Sequence, residues 1–210
     1  MFITLEGVEG SGKTTIAEKL IEILEVNGYE VLHTREPGGD PIAEIIREVV
    51  LDPKNTDMDA RTEALLYAAA RRQHLVRVVE PALVSGKIVI CDRFIDSSIA
   101  YQGYARKIGP DLVEDINDFA IHGKRPDLTF LIDVKPEVGL GRINKDKNRK
   151  VDRLDLEKMD FHQLVYEGYQ GLVKKHSHRI KVIDGERDVE KIVEDIYNAI
   201  KVRLSYAQSK

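Results

Sequence analysis

The chain has 210 residues, 42% hydrophobic and 32% charged, which allows one domain over residues 1–210 with a sizeable core and excludes a disordered chain. Its net charge of −4 excludes a global basic field for nucleic acid, and its single cysteine excludes an internal disulfide. No targeting pattern and no apolar run of about 18 residues appears, so we expect a cytoplasmic protein with neither nucleic acid nor a membrane as partner.

Five short segments rich in apolar and β-branched residues are predicted to be strands. They lie at residues 1–7, 30–34, 87–92, 128–133 and 179–184. Longer segments of helical periodicity separate them. This alternation predicts an α/β fold, with a five-stranded parallel sheet flanked by helices.

The first predicted helix covers residues 13–27 and ends before Gly28, and a long helix covers about 61–80 and ends before Pro81. Further helices are predicted near 98–106, 111–122, 136–143, 155–175 and 189–203. A basic segment, residues 142–153, interrupts this pattern with six Lys/Arg against two Asp.

Residues 7–14 match the phosphate-binding pattern G-x-x-x-x-G-K-[ST], and they follow a strand and open a helix. Glycines let successive N–H groups point at a β-phosphate, Lys13 reaches the β and γ oxygens, and the Thr14 hydroxyl can hold Mg²⁺. A dinucleotide fingerprint fails, because Thr15 stands where its third glycine would fall. The predicted ATP-binding residues are Gly7, Val8, Glu9, Gly10, Ser11, Gly12, Lys13, Thr14 and Thr15.

A bound nucleoside triphosphate is compatible with switches, motors and small-molecule kinases. No glycine has an Asp three residues before it, so the D-x-x-G of GTPase switches is absent, and N-K-x-D fails at Lys147. A switch is therefore disfavoured. The carboxyl end of the third strand carries Asp92, suited to Mg²⁺, and Arg93, suited to a second phosphate.

Four segments together resemble bacterial thymidylate kinases: GVEGSGKT, TREPGG at 34–39, YAAARRQHL at 67–75 and DRFIDSSIAYQG at 92–103. The match covers nearly the whole chain in the order of the family. The resemblance implies a P-loop NTPase fold like that of nucleoside monophosphate kinases, with a short lid near 142–153. It also implies a homodimer that transfers the γ-phosphoryl group of ATP to dTMP with Mg²⁺, giving dTDP and ADP for dTTP synthesis.

The resemblance assigns a stacking role on thymine to Tyr67, where Phe is more common, and a hydrogen bond to thymine O4 to Arg71. Such a donor cannot bond to cytosine in the same way, because cytosine has an amino donor where thymine has O4. Gln102 corresponds to the residue near N3, Tyr101 to the one near the 2′ position, and Glu9 to the carboxylate near the 3′-hydroxyl. The implied dTMP-binding residues are Glu9, Arg35, Glu36, Pro37, Arg47, Tyr67, Arg71, Arg93, Ser98, Tyr101 and Gln102.

The acceptor phosphate is mostly a dianion at neutral pH, so no general base is required. Catalysis then consists of cations and positioning, and the catalytic candidates are Lys13, Asp92, Arg93, Arg149 and Arg153. Glu9 stands where a second class of these kinases has an arginine, which implies that the lid supplies it. Arg149 and Arg153 lead as candidates, with Arg142 third.

Two rival functions stay open from the sequence. One is a kinase for another nucleoside monophosphate. The other is a regulatory or nucleic-acid-binding ATPase, which would hydrolyse ATP without a monophosphate or bind DNA in a salt-sensitive way.

Overall fold

A computed structural model describes residues 1–145 and 151–208 of the chain. Its strands form one five-stranded sheet in the order β2-β3-β1-β4-β5, and all four neighbouring pairs are parallel. The strands are β1 (Phe2–Glu6), β2 (Val31–Arg35), β3 (Ile88–Asp92), β4 (Leu128–Asp133) and β5 (Ile180–Asp184). The predicted parallel five-stranded α/β fold is confirmed.

Helices follow the strands in the alternation that the sequence predicts. They are α1 (Lys13–Val26), α2 (Pro41–Leu51), α3 (Ala60–His74), α4 (Glu80–Val84), α5 (Ile95–Ser98), α6 (Pro110–Ile121), α7 (Pro136–Ile143), α8 (Met159–Lys175) and α9 (Val189–Gln208). As predicted, α1 ends before Gly28, which has a left-handed φ of 84°. Within the described residues, no helix has the length and apolar character needed to cross a membrane.

The long helix does not end before Pro81, so that prediction is wrong. A π-helical segment, Leu75–Val79, follows α3 and leads directly into α4. Pro81 lies in the first turn of α4, where a missing N–H and a fixed φ are tolerated. A second π-helical segment, Ile99–Ala105, occupies most of the helix predicted near 98–106.

The central strands β1, β3 and β4 are buried on both faces because helices cover each side, whereas the edge strands β2 and β5 are more exposed. Ile3 and Leu5 of β1 pack into one apolar cluster, while Phe2 packs into a second cluster on the other face. Such two-sided burial is typical of parallel sheets. The register pairs Leu5 with Asp92 and Arg35 with Asp92, so the carboxyl ends of β1, β2 and β3 meet at one edge. Open α/β sheets bind their ligands at this edge.

Candidate active site

The loop between β1 and α1 has the backbone shape that phosphate binding requires. Gly10 has a φ of 68°, and a Cβ atom there would lie 2.1 Å from the carbonyl oxygen of Gly139 in α7. Only glycine fits so close an approach of two backbones. The loop is therefore held against α7, and its open side faces the sheet edge where β3 ends.

Lys13 begins α1, and its side chain folds back into the loop. The Nζ atom donates to the carbonyl oxygens of Gly7 at 3.2 Å and Val8 at 3.0 Å and to Ser11 Oγ at 3.1 Å. Burial, and then the nearby Arg93, lowers the pKa of Lys13 to about 8. A bound anion would favour the charged ammonium, so the site gains cationic character when a phosphate enters.

Asp92 and Thr14 form a pair of oxygen ligands at the sheet edge. The Thr14 hydroxyl donates to Asp92 Oδ2 at 3.2 Å. Asp92 Oδ1 is buried and has no hydrogen-bond partner among the described residues. Hard divalent cations such as Mg²⁺ prefer carboxylate and hydroxyl oxygens, so this donor set fits the metal that the sequence predicts.

Arg93 lies between the phosphate loop and the rest of the site. Its Nη1 donates to the Gly7 carbonyl at 3.0 Å, and its Nη2 lies 3.1 Å from Glu9 Oε1. Nη1 also reaches the hydroxyls of Ser97 and Tyr169 at 3.2 and 3.3 Å. The residue has a φ of 68°, which is uncommon for any residue except glycine.

Glu9 places a carboxylate inside the phosphate loop. Burial raises its pKa, but the charge of Arg93, the nearby His162 and a hydrogen bond from Tyr101 outweigh this effect and lower the pKa to about 2. Tyr101 Oη donates to Glu9 Oε1 at 2.5 Å. His162 Nδ1 lies 3.7 Å from the buried Glu9 Oε2, which is longer than a hydrogen bond, so this oxygen can still accept from a hydroxyl group.

One cavity of about 700 Å³ joins the phosphate loop to the carboxyl edge of the sheet and to helices α2 and α3. Most of the predicted site residues line it: Glu9, Gly10, Gly12, Lys13, Thr14, Thr15, Arg35, Glu36, Pro37, Arg47, Tyr67, Arg71, Asp92, Arg93, Ser98, Tyr101, Gln102 and Arg142. The other loop residues, Gly7, Val8 and Ser11, contribute as acceptors for Lys13 instead.

Arg71 is a fully buried guanidinium at the far end of this cavity. Its Nε donates to Glu36 Oε2 at 2.7 Å, and its Nη2 donates to the Phe94 carbonyl at 3.1 Å. Its Nη1 donates to Ser98 Oγ at 3.0 Å and to Asn117 Oδ1. An arginine has five N–H donors, and these bonds use four. Among the described residues, one N–H on Nη2 is left for a ligand, in a direction that the other four bonds hold.

Gln102 and Tyr67 complete the wall beside Arg71. The Gln102 Nε2 donates to Glu63 Oε1 at 2.8 Å, so its carbonyl oxygen is the end that can accept from a ligand. Burial, and then Glu63, raises the pKa of Tyr67, which keeps the phenol neutral. Glu63 was not predicted as a site residue. It precedes Tyr67 and Arg71 by four and eight residues, so helical periodicity places all three on one face of α3.

The turn after β2 orders a second group of arginines. Arg35 forms a forked pair with Glu44 at 2.7 and 3.2 Å, and Arg47 donates to the Pro37 carbonyl at 2.8 Å. The Glu36–Pro37 peptide bond is cis. Burial, and then Arg35, lowers the pKa of Arg47. Glu36 itself is occupied by protein groups, since Oε1 lies 2.9 Å from His74 Nδ1 and Oε2 binds Arg71.

The three lid arginines have different positions. Arg142 lines the cavity and donates to the Gly185 carbonyl at 3.2 Å. Arg149 lies outside the described residues. Arg153 is buried, bonds to the Val50 carbonyl at 2.9 Å and pairs with Glu63, so it does not line the cavity. A contact between Arg153 and a transferred phosphoryl group requires that this pair opens, and it stays a prediction.

Comparison with known proteins gives a consistent result. A family model described as thymidylate kinase matches residues 5–196. The thymidylate kinase of Clostridium novyi (strain NT) is 58% identical over 200 residues, 95% of this chain and 98% of that protein. The thymidylate kinase of Bacillus pumilus (strain SAFR-032) is 54% identical over 208 residues, 99% of this chain and 98% of that protein. The crystal structure of thymidylate kinase from Ehrlichia chaffeensis has a TM-score of 0.74 and 38% identity, covering 96% of this chain and 98% of that one. The chain belongs to the thymidylate kinase family.

Proposed function

We propose that the protein transfers the γ-phosphoryl group of ATP to dTMP and releases dTDP and ADP. One observation carries the proposal: Lys13, Arg93 and Arg71 line the same cavity. A phosphate loop and a wall suited to a nucleobase therefore open into one space. Two nucleotides can meet there end to end, with Arg93 between them.

The donor half is the loop that precedes α1. The backbone N–H groups of the loop and the N-terminus of α1 face a β-phosphate, and Lys13 neutralises the β and γ oxygens. Thr14 and Asp92 would hold the divalent cation that kinases of this type use, and we propose Mg²⁺. When bound, this cation would neutralise negative charge on the phosphates.

The acceptor half is selective for thymine by hydrogen-bond direction. The remaining N–H of Arg71 donates to thymine O4, and the carbonyl oxygen of Gln102 accepts the N3–H, while Tyr67 stacks on the ring. Cytosine would present a donor to Arg71 and an acceptor to Gln102. At the sugar, Glu9 Oε2 accepts from the 3′-hydroxyl and the Tyr101 ring crowds the 2′ position.

Charge repulsion is the main barrier to the reaction. Two like unit charges 4 Å apart cost about 1 kcal/mol in water and about 4 kcal/mol at an effective dielectric of 20. The dTMP phosphate is roughly nine-tenths dianion at pH 7 and needs no general base. Lys13 and Arg93 therefore lower the barrier as fixed cations, and a lid arginine adds a further charge when the site closes.

The decisive measurement is the yield of nucleoside diphosphate from ATP, Mg²⁺ and one of dTMP, dUMP, UMP, CMP or AMP. We expect dTMP to give the highest kcat/KM and ATP hydrolysis to be slow without a monophosphate. Preference for CMP or AMP would contradict the base site. Rapid hydrolysis of ATP alone would indicate an ATPase instead.

A cytoplasmic homodimer is part of the proposal. Helices α2, α3 and α6 lie side by side, and each exposes large apolar side chains: Ile42, Ile45, Val49, Leu65, Leu112 and Phe119. Exposed apolar side chains on neighbouring helices are typical of an interface. Sedimentation should give twice the chain mass for the wild type and a larger monomer fraction for Phe119→Asp. A monomeric wild type would contradict the dimer.

A further inference from the structure

Glu6 is a buried carboxylate at the end of β1, immediately before the phosphate loop, and it has no role in the chemistry described above. Its side chain is inaccessible to solvent. Glu6 Oε1 accepts from the backbone N–H of Phe94 at 2.8 Å. Glu6 Oε2 accepts from Ser97 Oγ at 2.5 Å and from Tyr169 Oη at 3.0 Å. Both oxygens are therefore satisfied by neutral donors.

Each of the three donors is also bonded to, or next to, Arg93. Phe94 is the next residue in the chain, so its N–H belongs to the peptide group that follows the left-handed Arg93 backbone. The hydroxyls of Ser97 and Tyr169 each lie within reach of Arg93 Nη1, at 3.2 and 3.3 Å. A left-handed conformation in a residue other than glycine persists only when its surroundings hold it. Glu6 restrains the Arg93 backbone through the N–H of Phe94 and the Arg93 guanidinium through the hydroxyls of Ser97 and Tyr169.

We infer that Glu6 is a positioning residue for Arg93: its carboxylate holds the turn at Arg93 and, through two hydroxyls, the direction of the guanidinium. The inference rests on the proposed role of Arg93 between the two nucleotides. An ionised Glu6 accepts from all three donors and makes the hydroxyls of Ser97 and Tyr169 point toward it, so their lone pairs face Arg93. A protonated Glu6 must donate one hydrogen and reverses one of these hydroxyls.

The change of protonation falls near neutral pH. Burial, and then the charge of Asp96, raises the pKa of Glu6 to about 7. Titratable or charged side chains that act on Glu6 come from every element around it: Lys13 of α1, Cys91 of β3, Arg93, Asp96 of α5, Tyr169 of α8 and Arg179 before β5. Arg93 should be held best when Glu6 is ionised, so turnover should fall as the pH falls through about 7.

Glu6→Gln tests this, because glutamine keeps the shape and, like the protonated acid, must donate to one hydroxyl. Removing a direct donor to reacting atoms costs about 10²–10³ in kcat, and we expect about tenfold for a residue one step away. The loss should appear at about pH 8.5 and shrink to about twofold or less at about pH 6, where the wild type is protonated as well. The titration of the dTMP phosphate affects both proteins equally, so it cancels in the ratio of wild-type to Glu6→Gln turnover at each pH. An equal loss at every pH, or no loss, would overturn the inference.

A double substitution separates this inference from the proposed function. Arg93→Met should itself lower kcat strongly, and adding Glu6→Gln to it should cost at most about twofold more. A fully additive second loss would overturn the positioning role. If Arg93→Met retains full turnover, the proposed function of the site fails instead.

The matched control is Thr4→Val, because Thr4 lies on β1 with Glu6 and its hydroxyl forms a buried hydrogen bond, 2.8 Å long, with Thr129 of β4 rather than with Arg93. It should leave kcat and its pH dependence unchanged. Should Glu6→Gln fail to fold, Tyr169→Phe removes one of the two hydroxyls and should lower kcat by about threefold. Wild-type turnover in a folded Tyr169→Phe protein would then overturn the inference.

Discussion

Replacing Arg71 by methionine should reveal two separate effects, one on stability and one on recognition of the base. Arg71 and Glu36 are both about 2% exposed, and their contact is 2.7 Å long. Methionine fills most of the volume but leaves the Glu36 carboxylate buried, with His74 as its one remaining partner in the described part of the chain. Breaking a buried pair in this way costs about 3–5 kcal/mol, out of a typical total stability of about 5–15 kcal/mol.

Recognition of the base should weaken independently of this loss. A hydrogen bond from a charged donor contributes about 1.5–3 kcal/mol, so the KM for dTMP should rise by roughly 10- to 100-fold while the KM for ATP stays the same. The double variant Arg71→Met/Glu36→Gln removes the stranded charge. It should recover about 2–3 kcal/mol of stability but none of the dTMP affinity.

Urea unfolding and steady-state kinetics measure the two effects on the same preparations. Arg72→Met is the matched control, because Arg72 neighbours Arg71 on α3 but is 44% exposed. Its ion pair with Glu80 is long, at 3.9 Å, and lies at the surface. It should cost less than about 1 kcal/mol and leave the KM for dTMP unchanged. Restored dTMP affinity, or no recovery of stability, on adding Glu36→Gln to the Arg71→Met background would contradict these two roles of Arg71.

Three further substitutions test the charges around the phosphate loop. The pKa of Glu6 is about 7 in the folded protein against 4.5 for a free side chain, so the stability that Glu6 contributes at low pH is lost as the pH rises through 7. Urea titrations should therefore show that the free energy of unfolding of Glu6→Gln, relative to that of the wild type, increases by about 3 kcal/mol between about pH 4 and pH 8. A gap that does not change with pH would contradict the raised pKa. Lys13→Met should lower kcat by about 10²–10³ with an unchanged circular dichroism spectrum, and near-normal turnover would exclude Lys13 from the reaction. Asp92→Asn should raise the Mg²⁺ concentration for half-maximal activity about tenfold or more, and an unchanged Mg²⁺ dependence would place the metal elsewhere.

Local patterns in the sequence were enough to predict the sheet and the phosphate loop, whereas Tyr67 and Arg71 were assigned by the resemblance to thymidylate kinases, and their spacing added only that they share one face of α3. These features depend on residues close together in the chain: a glycine spacing, a strand period or a helical turn. The strand end at Asp92 was predictable for a related reason. Carboxyl ends of parallel strands always meet at one edge of the sheet, whichever residues they carry.

Other features were beyond local pattern. The helix through Pro81 continues because a π-helical segment shifts the proline into a first turn, and periodicity does not reveal this shift. Arg153 was expected in the lid but pairs with Glu63, 90 residues earlier. A basic segment shows that lysine and arginine side chains are present, but it does not show which of them pairs with a buried carboxylate.

The hydrogen bonds that hold the arginines come from the tertiary structure alone. Glu6 meets Phe94 and Tyr169 across 88 and 163 residues of chain, and Arg71 meets Asn117 across 46. In each case burial removes water as a partner, so the polar groups must satisfy one another wherever the fold brings them together. Local sequence therefore determined which elements form and which side chains reach the sheet edge. Long-range packing decided which donors are already used and which remain for the nucleotides.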